Sequence, residues 1–246
     1  MEKSSSEELR QRFLTLEENL KRIRGEIAEA AVKSGRRPED ITLLAATKTV
    51  PVEVINHGIA LGLDHIGENR VQELCDKYDL LERDRTDVQF IGHLQTNKVK
   101  YLIGKVSMIQ SVDNLKLARE ISRLSAREGL TMDVLVEVNI GREANKSGVL
   151  PEALPALVGE IAALEALRVR GLMAIPPADA EEAATRRYFS KMFEYFIDMK
   201  HKKLDNVSMD VLSMGMSADY TQAILAGANM VRVGSALFGA RDYSVH

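Results

Sequence analysis

The chain has 246 residues, 45% hydrophobic and 28% charged, without tryptophan or a low-complexity tract, so it is long enough for one large barrel or two ordinary domains and too core-rich for disorder. Lys and Arg total 33 against 36 Asp and Glu, a formal charge of -3, and no basic run offers the footprint that a phosphate backbone needs, which sets nucleic acid aside as the main partner. A single cysteine, Cys75, cannot close an intramolecular disulfide, and with five scattered histidines it cannot build a cysteine-based zinc cage, so it reads as a buried thiol on a helix and no metal is expected. Residues 1–12 are too polar for a secretory signal, and no apolar stretch approaches the length of a membrane span; a reducing cytoplasm is the expected address, away from membranes.

Residues 5–34 read as one long amphipathic helix, with Leu9, Phe13, Leu16, Leu20, Ile23, Ile27 and Ala30 recurring at spacings of three and four until Gly35, Arg36, Arg37 and Pro38 stop it. An apolar run at 41–47, rich in strand formers, comes next, and Pro51 opens a helix at 52–61. The alternation then repeats. Strands are predicted at 63–66, 88–91, 106–109, 132–139, 169–173, 210–213 and 230–233, with helices at 70–81, 95–102, 114–128, 151–166, 181–202 and 218–226 between them. Eight strands alternate with helices, never two strands in succession, and read as the short apolar runs of strands covered on both faces. The pattern fits an α/β fold of the (β/α)8 TIM-barrel type better than its alternative, an open doubly wound sheet. No linker divides the chain, so the reading is a single domain over 1–246, with an extra N-terminal helix (1–38) packed outside a barrel (41–241).

In such a barrel the chemistry sits where the strands end. Here those ends are polar: Thr47-Lys48-Thr49, Glu68-Asn69-Arg70, the 92–98 segment with His93 and Lys98, Glu137 and Asn139, Met173, the 213–217 segment, and Arg232 with Gly234 and Ser235. All are expected to converge on one mouth. Lys48 emerges from an uncharged run; it reads either as a desolvated amine able to attack an aldehyde or as a lysine whose stem packs while its head reaches solvent. Ser213 and its neighbours precede one helix and Gly234-Ser235 another, where backbone N–H groups and hydroxyls can cradle a phosphate. An amine opposite a phosphate grip describes a cofactor that is both aldehyde and phosphate ester, pyridoxal 5'-phosphate (PLP). Arg232, pointing into the same mouth, would leave a pyridine nitrogen unprotonated and weaken the ring as an electron sink, unless it serves a salt bridge at the barrel end.

Together, the motifs Thr47-Lys48-Thr49 with Pro51, 65–73 (HIGENRVQE), 90–98 (FIGHLQTNK), 213–217 (SMGMS) and 231–239 (VRVGSALFG) resemble the pyridoxal phosphate homeostasis proteins, the YggS/PROSC-type family, over residues 8–241. The resemblance implies a single-domain barrel similar to the N-terminal domain of alanine racemase, with PLP held as a lysine aldimine on Lys48. It further implies that Ser213, Met214, Gly234 and Ser235 hold the phosphate, that Arg232 faces the pyridine nitrogen and that Asn69 lines the pocket. Its implied role is binding, storage or delivery of PLP in vitamin B6 homeostasis and amino-acid balance, without robust turnover, with apo-PLP enzymes as recipients. A monomer is expected.

Racemisation needs acid/base groups on both faces of the cofactor, and in the racemases one is a tyrosine from a separate β-domain. The sequence given leaves no room for that domain after the eighth strand, and Tyr220 and Tyr243, the tyrosines near the late motifs, are not at strand ends. Val50 and Arg70 depart from the family pattern and bear on surface contacts. His93 and Lys98, and Lys146 and Ser147, read as rim groups for a partner or second ligand, or as capping and solvated residues. Two alternatives stand beside the carrier: a PLP-dependent amino-acid racemase or lyase, and a barrel for another phosphorylated metabolite with Lys48 as a plain charge.

Overall fold

The computed structural model describes residues 2–239, with side chains from residue 6 onward. The strands are β1 (Thr42–Ala46), β2 (His65–Glu68), β3 (Asp87–Phe90), β4 (Met108–Val112), β5 (Met132–Val138), β6 (Leu167–Ala174), β7 (Val207–Ser213) and β8 (Met230–Val233). They pair in parallel and in chain order, and β8 returns to β1 with Ala45 opposite Val233, closing the barrel. The helices are α1 (Glu2–Lys33), α2 (Val52–Ala60), α3 (Val71–Lys77), α4 (Leu115–Arg127), α5 (Leu154–Ala162), α6 (Glu182–His201), α7 (Tyr220–Leu225) and α8 (Ser235–Phe238). The open doubly wound sheet is thereby set aside. The expected barrel limit at residue 241 lies outside the described residues, as does Tyr243.

Strand periodicity separates two cores. Outward residues such as Ala45, Ile66, Phe90, Val134, Leu172 and Val231 pack beneath the helices, while Leu44, Ile91 and Met230 form one cluster inside the barrel and Met108, Leu135 and Met173 another. Gly171 makes the β6–β7 approach possible: a Cβ there would lie 1.7 Å from the Val211 carbonyl oxygen. Below, Asp133 takes Arg168 and Arg170 at 2.7 and 2.9 Å, closing the end opposite the site.

The long first helix has a definite place. α8 is a single turn of four residues, too short to cover the β8–β1 seam, and α1 fills that position in the outer ring against α2, α7 and α8. Leu16, Leu20, Ile23, Ile27, Ala30 and Ala31 form its buried stripe. Polar stitches reinforce it: Asn19 Nδ2 donates to Leu237 O at 3.1 Å, Arg24 Nη2 to Gly62 O at 2.7 Å, and the Tyr220 hydroxyl donates to Glu26.

Several element boundaries differ from the periodicity. The predicted helix at 95–102 is a run of 3-10 turns, Thr96–Tyr101. Residues 70–81 split into α3 and a 3-10 turn at Tyr78–Leu80, and 151–166 into a 3-10 turn at Pro151–Ala153 and α5. Pro155 explains the second split, because its missing N–H is tolerated only in a helix's first turn. β2 and β4 begin two residues later than predicted and extend over Glu68 and over Gln110-Ser111, polar residues that imitate loop. Cys75 lies on α3 as expected but is half-buried, its Sγ 3.9 Å from Lys105 Nζ. Among the described residues no helix is long and apolar enough to cross a membrane, and no group of three or more His, Cys, Asp or Glu is placed to hold a metal.

Candidate functional site

Inward parity on β1 runs through Leu44 and Ala46, and Lys48 continues it two residues on, in the turn that follows the strand. That turn is fixed from outside the barrel. Thr47 Oγ1 donates to Glu68 Oε1 at 2.8 Å, Lys77 Nζ donates to Glu68 Oε1 at 2.9 Å and to Thr47 O at 3.1 Å, and the Thr49 N–H donates to Glu73 Oε2 at 2.8 Å. Thr49 has φ 61°, a left-handed conformation that a β-branched residue keeps only where its surroundings over-determine it. The backbone of Lys48 is therefore held, while its half-buried side chain makes no ion pair or hydrogen bond with any described residue. Glu68 is a correction to the convergent mouth: it is 1% exposed and sits on the outer face of β2, where it steadies the lysine turn from behind.

β8 adjoins β1, so the segment leaving β8 lies beside the segment leaving β1, which carries Lys48. There the Gly234 and Ala236 N–H groups both donate to Ser217 Oγ, at 3.2 and 3.1 Å. Two amides converging on one oxygen are the elements of an anion cradle, supplied by the local N–H groups rather than by the dipole of a four-residue helix. A Cβ on Gly234 would lie 3.3 Å from Ala46 O, so glycine keeps this turn close to β1. Ser235 is exposed beside it.

Arg232 is 4% exposed on β8, and its Nη1 donates to Ser213 Oγ at 2.5 Å and its Nη2 to Ala174 O at 3.0 Å. Burial draws this guanidinium down to about 10, against the opposing pull of Glu137 and Asp219. Ser213 is fully buried and its hydroxyl is committed, accepting from Arg232 and donating to Gln110 Oε1 at 2.7 Å. Met214 packs its side chain into the outer core and gives its N–H to Met230 O at 3.2 Å. Among the expected phosphate residues, Gly234 and Ser235 thus lie at the cradle, whereas Ser213 and Met214 lie at its root.

Asn69 is half-buried beyond β2, hard against β3: a Cβ at Gly92 would fall 2.0 Å from its carbonyl oxygen. Glu137, 9% exposed on β5, accepts no side-chain hydrogen bond from the described residues; burial and then Asp113 push its carboxyl up to about 7, against Arg232. Asn139 spends its amide on the following loop, donating to Glu143 O at 2.8 Å and accepting from Glu143 N at 3.1 Å. At the rim His93 Nδ1 and Ser147 Oγ are 3.0 Å apart, while Lys146 is exposed and Lys98 lies over the Tyr101 ring. Sequence reasoning named the hydroxyls of the 213–217 motif for the cradle without singling out Ser217, and missed Gln110, which carried no signal.

With this geometry in place, comparison with known proteins decides the lineage. Residues 16–242 match the alanine racemase N-terminal domain family. A pyridoxal phosphate homeostasis protein of Aquifex aeolicus is 44% identical over 226 residues, 92% of this chain and 98% of that protein. The chain belongs to the pyridoxal phosphate homeostasis protein family. A Pseudomonas aeruginosa protein of the same description is 41% identical, over 93% of this chain and 97% of its own. PipY of Synechococcus elongatus, solved with PLP bound, superposes with a TM-score of 0.76 at 30% identity, covering 87% of this chain and all of that one (100%). The alanine racemase of Clostridium difficile 630 superposes with a TM-score of 0.71 at 18% identity, over 94% of this chain and 58% of that one, a likeness of fold alone. The family's barrel, anticipated from five motifs, is the barrel seen here.

Proposed function

We propose that this chain is a single-domain carrier of pyridoxal 5'-phosphate in the cytoplasm, a monomer that holds the cofactor at the barrel mouth and passes it to apo-PLP enzymes, without robust turnover of amino acids. One observation carries the reading: an uncommitted amine, Lys48, stands in the turn after β1, and the turn after the neighbouring β8 carries two amides that converge on a single oxygen. PLP supplies an aldehyde, an electron-accepting ring and a phosphate. Lys48 is the Schiff-base lysine; Gly234, Ser235 and Ala236, with Ser217, take the phosphate. Ser213 acts through Arg232, which faces the pyridine nitrogen, and Met214 anchors the loop by its backbone bond to Met230. Asn69 closes the β2 side.

The buried Arg232 supports restricted chemistry, since a guanidinium donates and does not accept, which would leave the ring nitrogen unprotonated and weaken the ring as an electron sink. Tyr220 supports it as well. Its hydroxyl is bound to Glu26 on α1 and pushed up to about 12, first by burial, so it is no acid/base group for a second face. The monomer is supported by α1, which completes the helical ring from within the chain. The test is titration of purified protein with PLP. A saturable visible band at one PLP per chain, with amino acids converted no faster than by free PLP, is expected; turnover well above the free cofactor would favour a racemase or lyase, and no band at all would favour another phosphorylated ligand.

A further inference from the structure

A line of hydrogen bonds threads the barrel interior from the end opposite the site. Gln89 Nε2 donates to Asp87 Oδ2 at 2.6 Å, Gln110 Nε2 to Gln89 Oε1 at 2.6 Å, Ser213 Oγ to Gln110 Oε1 at 2.7 Å, and Arg232 Nη1 to Ser213 Oγ at 2.5 Å. The Gln110–Ser213 link crosses the lumen, because β4 and β7 are not neighbours in the barrel. Gln89, Gln110 and Ser213 are each 2% exposed or less, so water does not substitute for a missing link without rearrangement. Gln110 Nε2 also lies 3.1 Å from Met230 Sδ, which holds its amide in the lumen.

The polarity of this line is fixed at both ends. An ionised carboxylate only accepts and a guanidinium only donates, whereas the two amides and the hydroxyl between them do both. Only one sense of the chain satisfies every link: each group donates toward Asp87 and accepts from the Arg232 side. Asp87 is kept ionised in spite of its burial by His65, whose Nδ1 lies 3.2 Å away, and by Ser107 and Gln89; its carboxyl lies below the usual range. A reversed Gln110 would set its Oε1 against Gln89 Oε1, two acceptors with no proton between them, and Gln89 cannot turn in response without facing its own oxygen to the Asp87 carboxylate.

We propose that Gln89 and Gln110 are positioning residues, which transmit the polarity of Asp87 through Ser213 and so fix the posture of Arg232 toward the ligand in the mouth. The inference rests on the PLP reading for its ligand and on the protein's own hydrogen bonds for its mechanism. Gln→Met keeps the approximate volume and removes donor and acceptor, so the test compares wild type, Gln89→Met, Gln110→Met and the double variant.

With PLP as the probe, each single variant is expected to alter the visible band or its pH midpoint and to speed PLP release roughly fivefold to tenfold, as for the loss of one ordinary hydrogen bond. The double variant should do no more than the larger single one, since a line broken once is already broken. A wild-type spectrum and release rate in Gln110→Met, or effects that add, overturns the proposal. Should Gln110→Met fail to fold, Gln89→Met, which touches neither Ser213 nor Arg232, decides by the same readout. The thermal midpoints of the ligand-free proteins give the same cycle without PLP. If wild type takes up no PLP the carrier reading falls, while additive midpoints overturn the relay and non-additive ones sustain it.

Discussion

Lys48 combines a fixed backbone with an uncommitted amine, and both halves come from identifiable residues. Because the side chain supports no other group, Lys48→Ala should remove the visible band of the PLP-loaded protein while changing unfolding free energy by no more than about 0.5 kcal/mol in urea; a colourless variant that is also unfolded would make Lys48 structural. Glu137 gives a pH test. Its folded carboxyl keeps its proton to about 7 against an ordinary 4.5, so between those values the native state carries a proton that the unfolded state has lost. Stability of the ligand-free protein should fall as pH rises through that window, by an amount on the order of 3 kcal/mol at the ~1.4 kcal/mol per unit that linkage assigns. Glu137→Gln should flatten the slope, so that its urea midpoint exceeds that of wild type near pH 8 but not near pH 4; parallel curves would show that the penalty is absent. Lys48 and Arg232 were legible because each breaks an apolar run. Gln110 was not, since a buried glutamine has no periodic signature and its value lies in partners 21 and 103 residues away.

At the scale of elements, the hydrophobic pattern found eight strands and the helices between them, because a strand covered on both faces must be apolar along its length. It failed where strands carry buried polar side chains, in the lumen at Gln110 and on the outer face at Glu68: β4 was placed early because Gln110-Ser111 resembles a turn, and β2 because Glu68 does. The position of α1 was also beyond the sequence, since amphipathicity gives a buried face without naming its partner. The structure gives α1 the eighth place in the ring, so it is part of the fold's closure. Ile23→Ala, at a position with 0% exposure, should therefore cost about 2–5 kcal/mol and shift a single cooperative unfolding transition. A two-step transition, with α1 melting from an intact barrel, would contradict that role.

Across the whole molecule the barrel divides labour between its ends. The end where the strands begin carries ion pairs, Asp133 with Arg168 and Arg170 and His65 with Asp87, while the end where they finish gathers an amine, converging amides and a buried guanidinium. Closure brings β1 beside β8 and so makes one site of residues nearly two hundred positions apart in the chain. The claim that this site is a covalent PLP holder is tested most directly by reducing the loaded protein with borohydride and mapping the labelled peptide by mass spectrometry. The expected result is a phosphopyridoxyl group on Lys48 and on no other lysine. A label on a different lysine, or none on protein shown to contain the cofactor, would contradict it.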